Sequence, residues 1–236
     1  VAKSPPDPTP AQRLARVRER IAAACHGCGR DPATVDLLAV SKGQPLEALQ
    51  AVASAGQRRF GESYVQEAAA KVHALAGAGC EWHFIGPLQS NKAGLIAQYF
   101  DWIHSIDRDK MATALSRHRA PAATPLQVCL QVNISGEASK SGTSLAALPG
   151  LAAQVAALPG LRLRGLMAIP RPTKDFAAQR AAFRQLREAL EELRRQGHAL
   201  DTLSMGMSDD LEAAIAEGST LVRVGTALFG PRPLSG

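Results

Sequence analysis

The chain has 236 residues, enough for one large α/β domain or two small ones. Apolar residues make up 46% and charged residues 20%, which implies a well-filled core, while 4% aromatics leave little on which to stack bases. The net charge of +6 is spread over two helices: residues 1–20 carry five basic and two acidic side chains, and residues 174–195 carry six and four, so no basic stripe marks a nucleic-acid partner.

Cysteines 25, 28, 80 and 129 do not make a disulfide framework in a chain this long. Cys25-His26-Gly27-Cys28 has half of a zinc spacing but no second pair, and closing a helix is its simpler role. There is no apolar run of membrane-spanning length and no signal-peptide core at the N-terminus, so the cytoplasm is the expected compartment, with a monomer as the expected state.

In chain order, residues 1–8 are proline-rich and expected to be disordered, with a domain over 9–236. Thr9 can cap a helix that has Pro10 at its first position and Leu14, Val17 and Ile21 at helical spacing. Val35 to Lys42 then reads as a strand apolar on both faces, the mark of a strand covered on both sides. From there strands and helices alternate. Further strands are expected at 59–62, 81–86, 102–106, 126–133, 161–169, 202–206 and 221–225. Helices are expected at 45–55, 64–76, after 91, and at 109–119, 144–158, 176–196 and 209–217.

Eight strands, each followed by a helix or helical turn, predict a single α/β domain, a (β/α)8 TIM barrel with an extra N-terminal helix. A doubly wound open sheet is the alternative, but Ser-Lys-Gly-Gln-Pro follows the first strand where a dinucleotide fold would carry G-x-G-x-x-G.

Barrel chemistry lies at the C-terminal strand ends, and polar residues interrupt the apolar strands there. Lys42 shares a face with Leu38 and Val40. Desolvation there would favour a neutral amine able to attack a carbonyl; the plainer reading is a side chain reaching to water. Ser208 stands at the expected N-cap of the helix after the seventh strand, and Gly225-Thr226 closes the eighth, so together they suit a phosphate; Ser208 could equally be only a cap. Arg223 shares a face with Gly225 and points either into the barrel or at a carboxylate such as Glu62. Lysine, two-loop phosphate cradle and inward arginine together outline a site for pyridoxal 5′-phosphate, with Arg223 facing the pyridine nitrogen. A Schiff-base aldolase acting on a sugar phosphate would leave the arginine without a role.

The blocks AVSK (39–42), FGESYVQE (60–67), HFIGPLQSNK (83–92), VNIS (132–135), SKSG (139–142), LRGLMAIP (163–170), LSMGMSDD (203–210) and VRVGTALFG (222–230) resemble the pyridoxal phosphate homeostasis protein family. The resemblance implies the barrel of the alanine racemase N-terminal domain, with a Schiff base on Lys42 and phosphate contacts from Ser208, Gly225 and Thr226. It also implies Arg223 near the ring nitrogen and Met167 and Met207 in the pocket; no metal is expected, since the cysteines offer no second pair. It further implies a protein that buffers or delivers the cofactor, with apo forms of cofactor-dependent enzymes as recipients and an influence on amino-acid and keto-acid balance. Two positions depart from the family pattern: Ser63 stands for an Asn near the cofactor, and Gly43-Gln44 for Thr-Lys. Lys140 is either a second reception site or an exposed loop lysine. The competing expectation is a cofactor-dependent amino-acid racemase, which would need a second base; Tyr64 and Tyr99 are the only tyrosines.

Overall fold

A computed structural model describes residues 7–120, 122–137 and 141–231. The expected segment 1–8 therefore falls mostly outside the described residues, as does Lys140.

The sheet is a closed barrel of eight parallel strands in sequence order. They are β1 (Asp36–Val40), β2 (Arg59–Glu62), β3 (Glu81–Phe84), β4 (Trp102–Ile106), β5 (Leu126–Gln131), β6 (Leu161–Met167), β7 (Thr202–Ser204) and β8 (Leu221–Val224). Closure is made by β1 against β8, where Leu38 is the register partner of Arg223. This is the TIM-barrel expectation, and an open sheet is ruled out.

Outside the sheet lie α2 (Leu46–Ser54), α3 (Val65–Ala74), α4 (Ala93–Tyr99), α5 (Asp109–His118), α6 (Leu148–Ala156), α7 (Phe176–Arg195) and α8 (Leu211–Ala216). After β8 comes only a four-residue turn of helix, α9 (Thr226–Phe229). The extra N-terminal helix α1 (Pro10–Gly27) packs across α8, α9 and α2, and so fills the place in the ring that α9 is too short to cover. A capping box fixes its start: Thr9 Oγ1 accepts from the Gln12 N–H, and Gln12 Oε1 accepts from the Thr9 N–H. Leu14, Val17, Ile21 and Cys25 form its buried stripe, and Arg20 grips Glu212 of α8 with two hydrogen bonds of 2.6 and 2.7 Å. Cys28 is the C-cap of α1, and no group of three or more His, Cys, Asp or Glu among the described residues could hold a metal ion.

The strands carry two kinds of interior. Residues facing the helices, such as Leu37, Ala39, Phe60, Ile103 and Leu166, belong to one continuous apolar shell with Phe183, Leu186, Leu190 and Leu193 of α7. Residues facing the barrel axis alternate with these and are far more polar: His83, His104, Ser204 and Arg223 are all buried, beside a small apolar group of Trp102, Cys129 and Met167.

Several strands end one or two residues sooner than their apolar runs suggest. The first stops at Val40 rather than Lys42, the fifth at Gln131 rather than Asn133, and the seventh at Ser204 rather than Gly206. Inter-strand backbone hydrogen bonds run a little past these ends, from the Ser41 N–H to the Gly61 carbonyl, the Val132 N–H to the Met167 carbonyl and the Met205 N–H to the Leu221 carbonyl, so the chain keeps its strand pattern before it turns. No described helix is long and apolar enough to cross a membrane.

Candidate cofactor site

At the C-terminal mouth lies a cavity of about 300 Å³ lined by Lys42, Met167, Met207, Ser208, Arg223, Gly225 and Thr226, together with Val40, Gln44, Ile85, Ile169 and Asp209. Seven of the eight residues singled out from the sequence therefore meet around one space. Ser63 does not line it: it is buried, and its backbone lies where a Cβ on Gly86 would fall, 2.3 Å from the Ser63 carbonyl oxygen.

Lys42 is half-buried, two residues beyond the end of β1. Both its neighbours are tied to one charged cluster behind the sheet. Lys71 of α3 donates through Nζ to the Ser41 carbonyl (2.7 Å), to Glu62 Oε1 (2.8 Å) and to Glu67 Oε1 (2.5 Å). Ser41 Oγ donates to Glu62 Oε1 at 2.6 Å, and the Gly43 N–H donates to Glu67 Oε1 at 2.7 Å. The Glu62 side chain is fully buried, and burial pushes its carboxyl up further than the hydrogen bonds from Lys71 and Ser41 pull it down. The peptide groups on either side of Lys42 are thus held by fixed charges. This cluster escaped the sequence reading, although Glu62 at a strand end and Lys71 nine residues on were its visible parts.

Glu62 is engaged by Lys71, so the expected alternative of an Arg223–Glu62 pair does not occur. Arg223 Nη1 donates to the Ser204 carbonyl (2.6 Å) and Ser204 Oγ (2.8 Å), and Nη2 donates to the Ala168 carbonyl (3.0 Å). Burial lowers its pKa to about 10 against the opposing charge of Asp210, so it remains a cation at neutral pH. Three neutral oxygens orient the guanidinium without cancelling its charge, leaving it available to an electron-rich atom in the cavity.

The anion end is built differently from the expectation. Ser208 is not the N-cap of α8; that position is Asp210, and Ser208 sits in the turn before it. Asp210 Oδ1 accepts from the Met207 N–H at 2.6 Å and folds the turn back on itself. Burial raises the Asp210 carboxyl, opposed by that hydrogen bond and by the Arg223 charge. Gly206 opens the turn at φ +96°, and a Cβ there would lie 2.6 Å from the Ala214 Cβ. The backbone N–H groups of Ser208, Gly225 and Thr226 have no acceptor among the described residues. Ser208, Gly225 and Thr226 all line the cavity, and so do two basic side chains, Lys42 and Arg223, and one acidic one, Asp209. Such a set suits a small anionic group carrying an aldehyde or ketone.

A parallel barrel with an amine just past its first strand and an anion cradle after its last two defines a class. The chain belongs with the domains described as alanine racemase, N-terminal domain, the family that matches residues 13–233. Among curated relatives, it is 59% identical over 224 residues to a pyridoxal phosphate homeostasis protein of Pseudomonas aeruginosa, covering 95% of this chain and 96% of that one. It is 54% identical over 228 residues to the protein of the same name in Escherichia coli K12, covering 95% and 97%. Among solved structures, PipY of Synechococcus elongatus with PLP bound superposes with a TM-score of 0.82 at 40% identity, over 94% of this chain and all (100%) of that one. The chain is a member of the pyridoxal phosphate homeostasis protein family.

Proposed function

We propose that the chain binds pyridoxal 5′-phosphate in the mouth cavity as a Schiff base with Lys42, and serves as a cytoplasmic, monomeric reserve that delivers the cofactor to apo-enzymes. The observation that carries this reading is the meeting of Lys42, Arg223 and three N–H groups without an acceptor among the described residues around a single cavity. The names of the relatives and the cofactor in PipY support it.

The residues fit the group. Backbone N–H groups of Ser208, Gly225 and Thr226 suit its phosphate, and about 300 Å³ suits a single substituted pyridine ring. Met167 and Met207 offer apolar contact to the ring. When bound, the cofactor supplies an aldehyde for the amine and a ring able to withdraw electrons. Arg223, if it faced the ring nitrogen, would donate without giving up its proton, and so would keep that nitrogen unprotonated and weaken the electron sink.

An amino-acid racemase would need a second proton donor opposite Lys42. Tyr64 is an exposed residue before α3, Tyr99 ends α4 against His73, and neither lines the cavity.

The test is direct. Protein incubated with the cofactor turns yellow, borohydride fixes the cofactor on the peptide containing Lys42, and the loaded protein reactivates an apo-enzyme while Lys42→Ala does not. Failure to take up the cofactor defeats the proposal, and sustained racemisation of alanine or another amino acid replaces it with the enzyme reading.

A further inference from the structure

Two buried histidines lie beneath the cavity, outside every role described so far. His83 of β3 and His104 of β4 are fully enclosed in the barrel interior, where imidazoles need defined partners. His104 Nδ1 is 2.8 Å from Ser204 Oγ, His104 Nε2 is 2.9 Å from His83 Nδ1, and His83 Nε2 is 2.9 Å from Glu81 Oε1. With the bond from Arg223 to Ser204, these contacts make an unbroken file from the cavity to the opposite mouth.

The direction of every proton in the file follows from its two ends independently. At the upper end, Arg223 can only donate, so Ser204 Oγ accepts from it and directs its own hydrogen to His104 Nδ1. A proton on that nitrogen would strand a fully buried hydroxyl, so His104 carries its hydrogen on Nε2. At the lower end, the Glu81 carboxylate can only accept, so His83 carries its hydrogen on Nε2 and presents Nδ1 as an acceptor to His104. Both deductions give the same tautomer at the shared bond. Burial lowers the pKa of both imidazoles, and the positive charge of Arg223 disfavours a second cation at His104. Trp102 stacks on His83 at 5.4 Å and 9°, which fixes the plane of that ring.

We propose that Ser204, His104, His83 and Glu81 are positioning residues for Arg223, joined in a one-way hydrogen-bond relay that aims the guanidinium into the cavity and ends on a carboxylate at the far mouth. Aligned bonds polarise one another, so the Glu81 charge strengthens Ser204 as the acceptor for Arg223. The consequence for bound cofactor rests on the functional reading above; the relay itself does not.

The experiment therefore has two arms. In ¹⁵N-labelled protein without cofactor, two-bond ¹H–¹⁵N imidazole spectra show both histidines as neutral Nε2–H tautomers between pH 5 and 8. In Ser204→Ala the His83 resonances move as well as those of His104, although Ser204 touches only the latter. A protonated ring, an Nδ1–H tautomer at either residue, or an unmoved His83 overturns the relay.

In the second arm pyridoxal 5′-phosphate is titrated into each variant. Ser204→Ala leaves a buried donor of Arg223 short of a partner, weakening affinity roughly tenfold and shifting the visible band. Glu81→Gln shifts the band in the same sense with a smaller loss, and Asp201→Asn, an ion-pair change at the same mouth outside the file, leaves it in place. A band unmoved in Ser204→Ala and Glu81→Gln, or moved equally by Asp201→Asn, overturns the positioning role. If no variant or wild type takes up cofactor, the functional reading fails and the tautomers still decide the relay.

Discussion

The two mouths of the barrel are built from similar side chains to opposite effect. At the N-terminal mouth Arg59 bridges Asp36 and Glu81 at 2.6 and 3.0 Å, while Arg164 binds Asp201 at 2.5 Å and lies 4.8 Å above the Trp102 ring. These charges are matched with one another and several are half-exposed. At the C-terminal mouth Arg223 is held only by neutral oxygens, and backbone donors of two loops lack acceptors among the described residues. One mouth pairs its arginines with carboxylates; the other holds its buried arginine by hydroxyl and carbonyl oxygens. The difference follows from direction, since parallel strands deliver all their C-terminal turns to one end, and only there do short loops and helix starts present N–H groups.

The comparison can be broken hardest at Lys42. Lys42→Ala should abolish the borohydride-fixed adduct completely while leaving the melting temperature near that of wild type, read by mass spectrometry and thermal denaturation.

Next is the cluster behind it. Lys71→Met leaves Glu62 as an uncompensated buried charge and should cost about 3–5 kcal/mol in urea unfolding, whereas Lys71→Met with Glu62→Gln should recover much of that loss. A loss below about 1 kcal/mol for the single variant would mean the cluster behaves like a surface pair.

Smaller again is Gly206→Ala, which forces a side chain into a positive-φ position against Ala214. It should cost about 1–3 kcal/mol and weaken cofactor uptake together, because the strained turn carries Ser208. An unchanged affinity would separate that turn from the anion cradle.

Acid sharpens the contrast at the other mouth. Burial tends to raise the Glu81 carboxyl, but the hydrogen bond from His83 and the charge of Arg59 outweigh it and hold it at about 2. A depressed carboxylate stabilises the fold fully above its ordinary value of 4.5 and loses that contribution as pH falls toward about 2. Glu81→Gln should therefore flatten the stability curve in that window and leave its shape above pH 6 unaltered. The smallest effect is expected for Asp201→Asn, about 1 kcal/mol or less at neutral pH, since its carboxylate is half-exposed.

Much of this is legible in the sequence alone. The alternation of apolar runs with amphipathic stripes located every strand and gave two of them, Arg59–Glu62 and Trp102–Ile106, to the residue. Lys42, Ser208, Arg223, Gly225 and Thr226 were conspicuous as polar interruptions at apolar strand ends. Less legible is where strands stop, because the strand pattern and some inter-strand hydrogen bonds run a little past the strand ends before the chain turns. The sequence places Ser208 at the cap for a related reason: Asp210 follows two residues later and competes for the same position, and only the Met207 turn shows that Asp210 takes it.

Local sequence determined the order and faces of the elements, since hydrophobic period and turn residues act within a few positions. It determined the family as well, through blocks that keep their order along the chain. What only the tertiary structure decided was which polar residues meet. His104 and Ser204 lie 100 positions apart, and Arg223 and Ala168 lie 55 apart. No local pattern encodes such pairs; they exist because closing a sheet of eight strands brings each inward side chain against partners from strands distant in the chain, in a space where every buried polar group must find one.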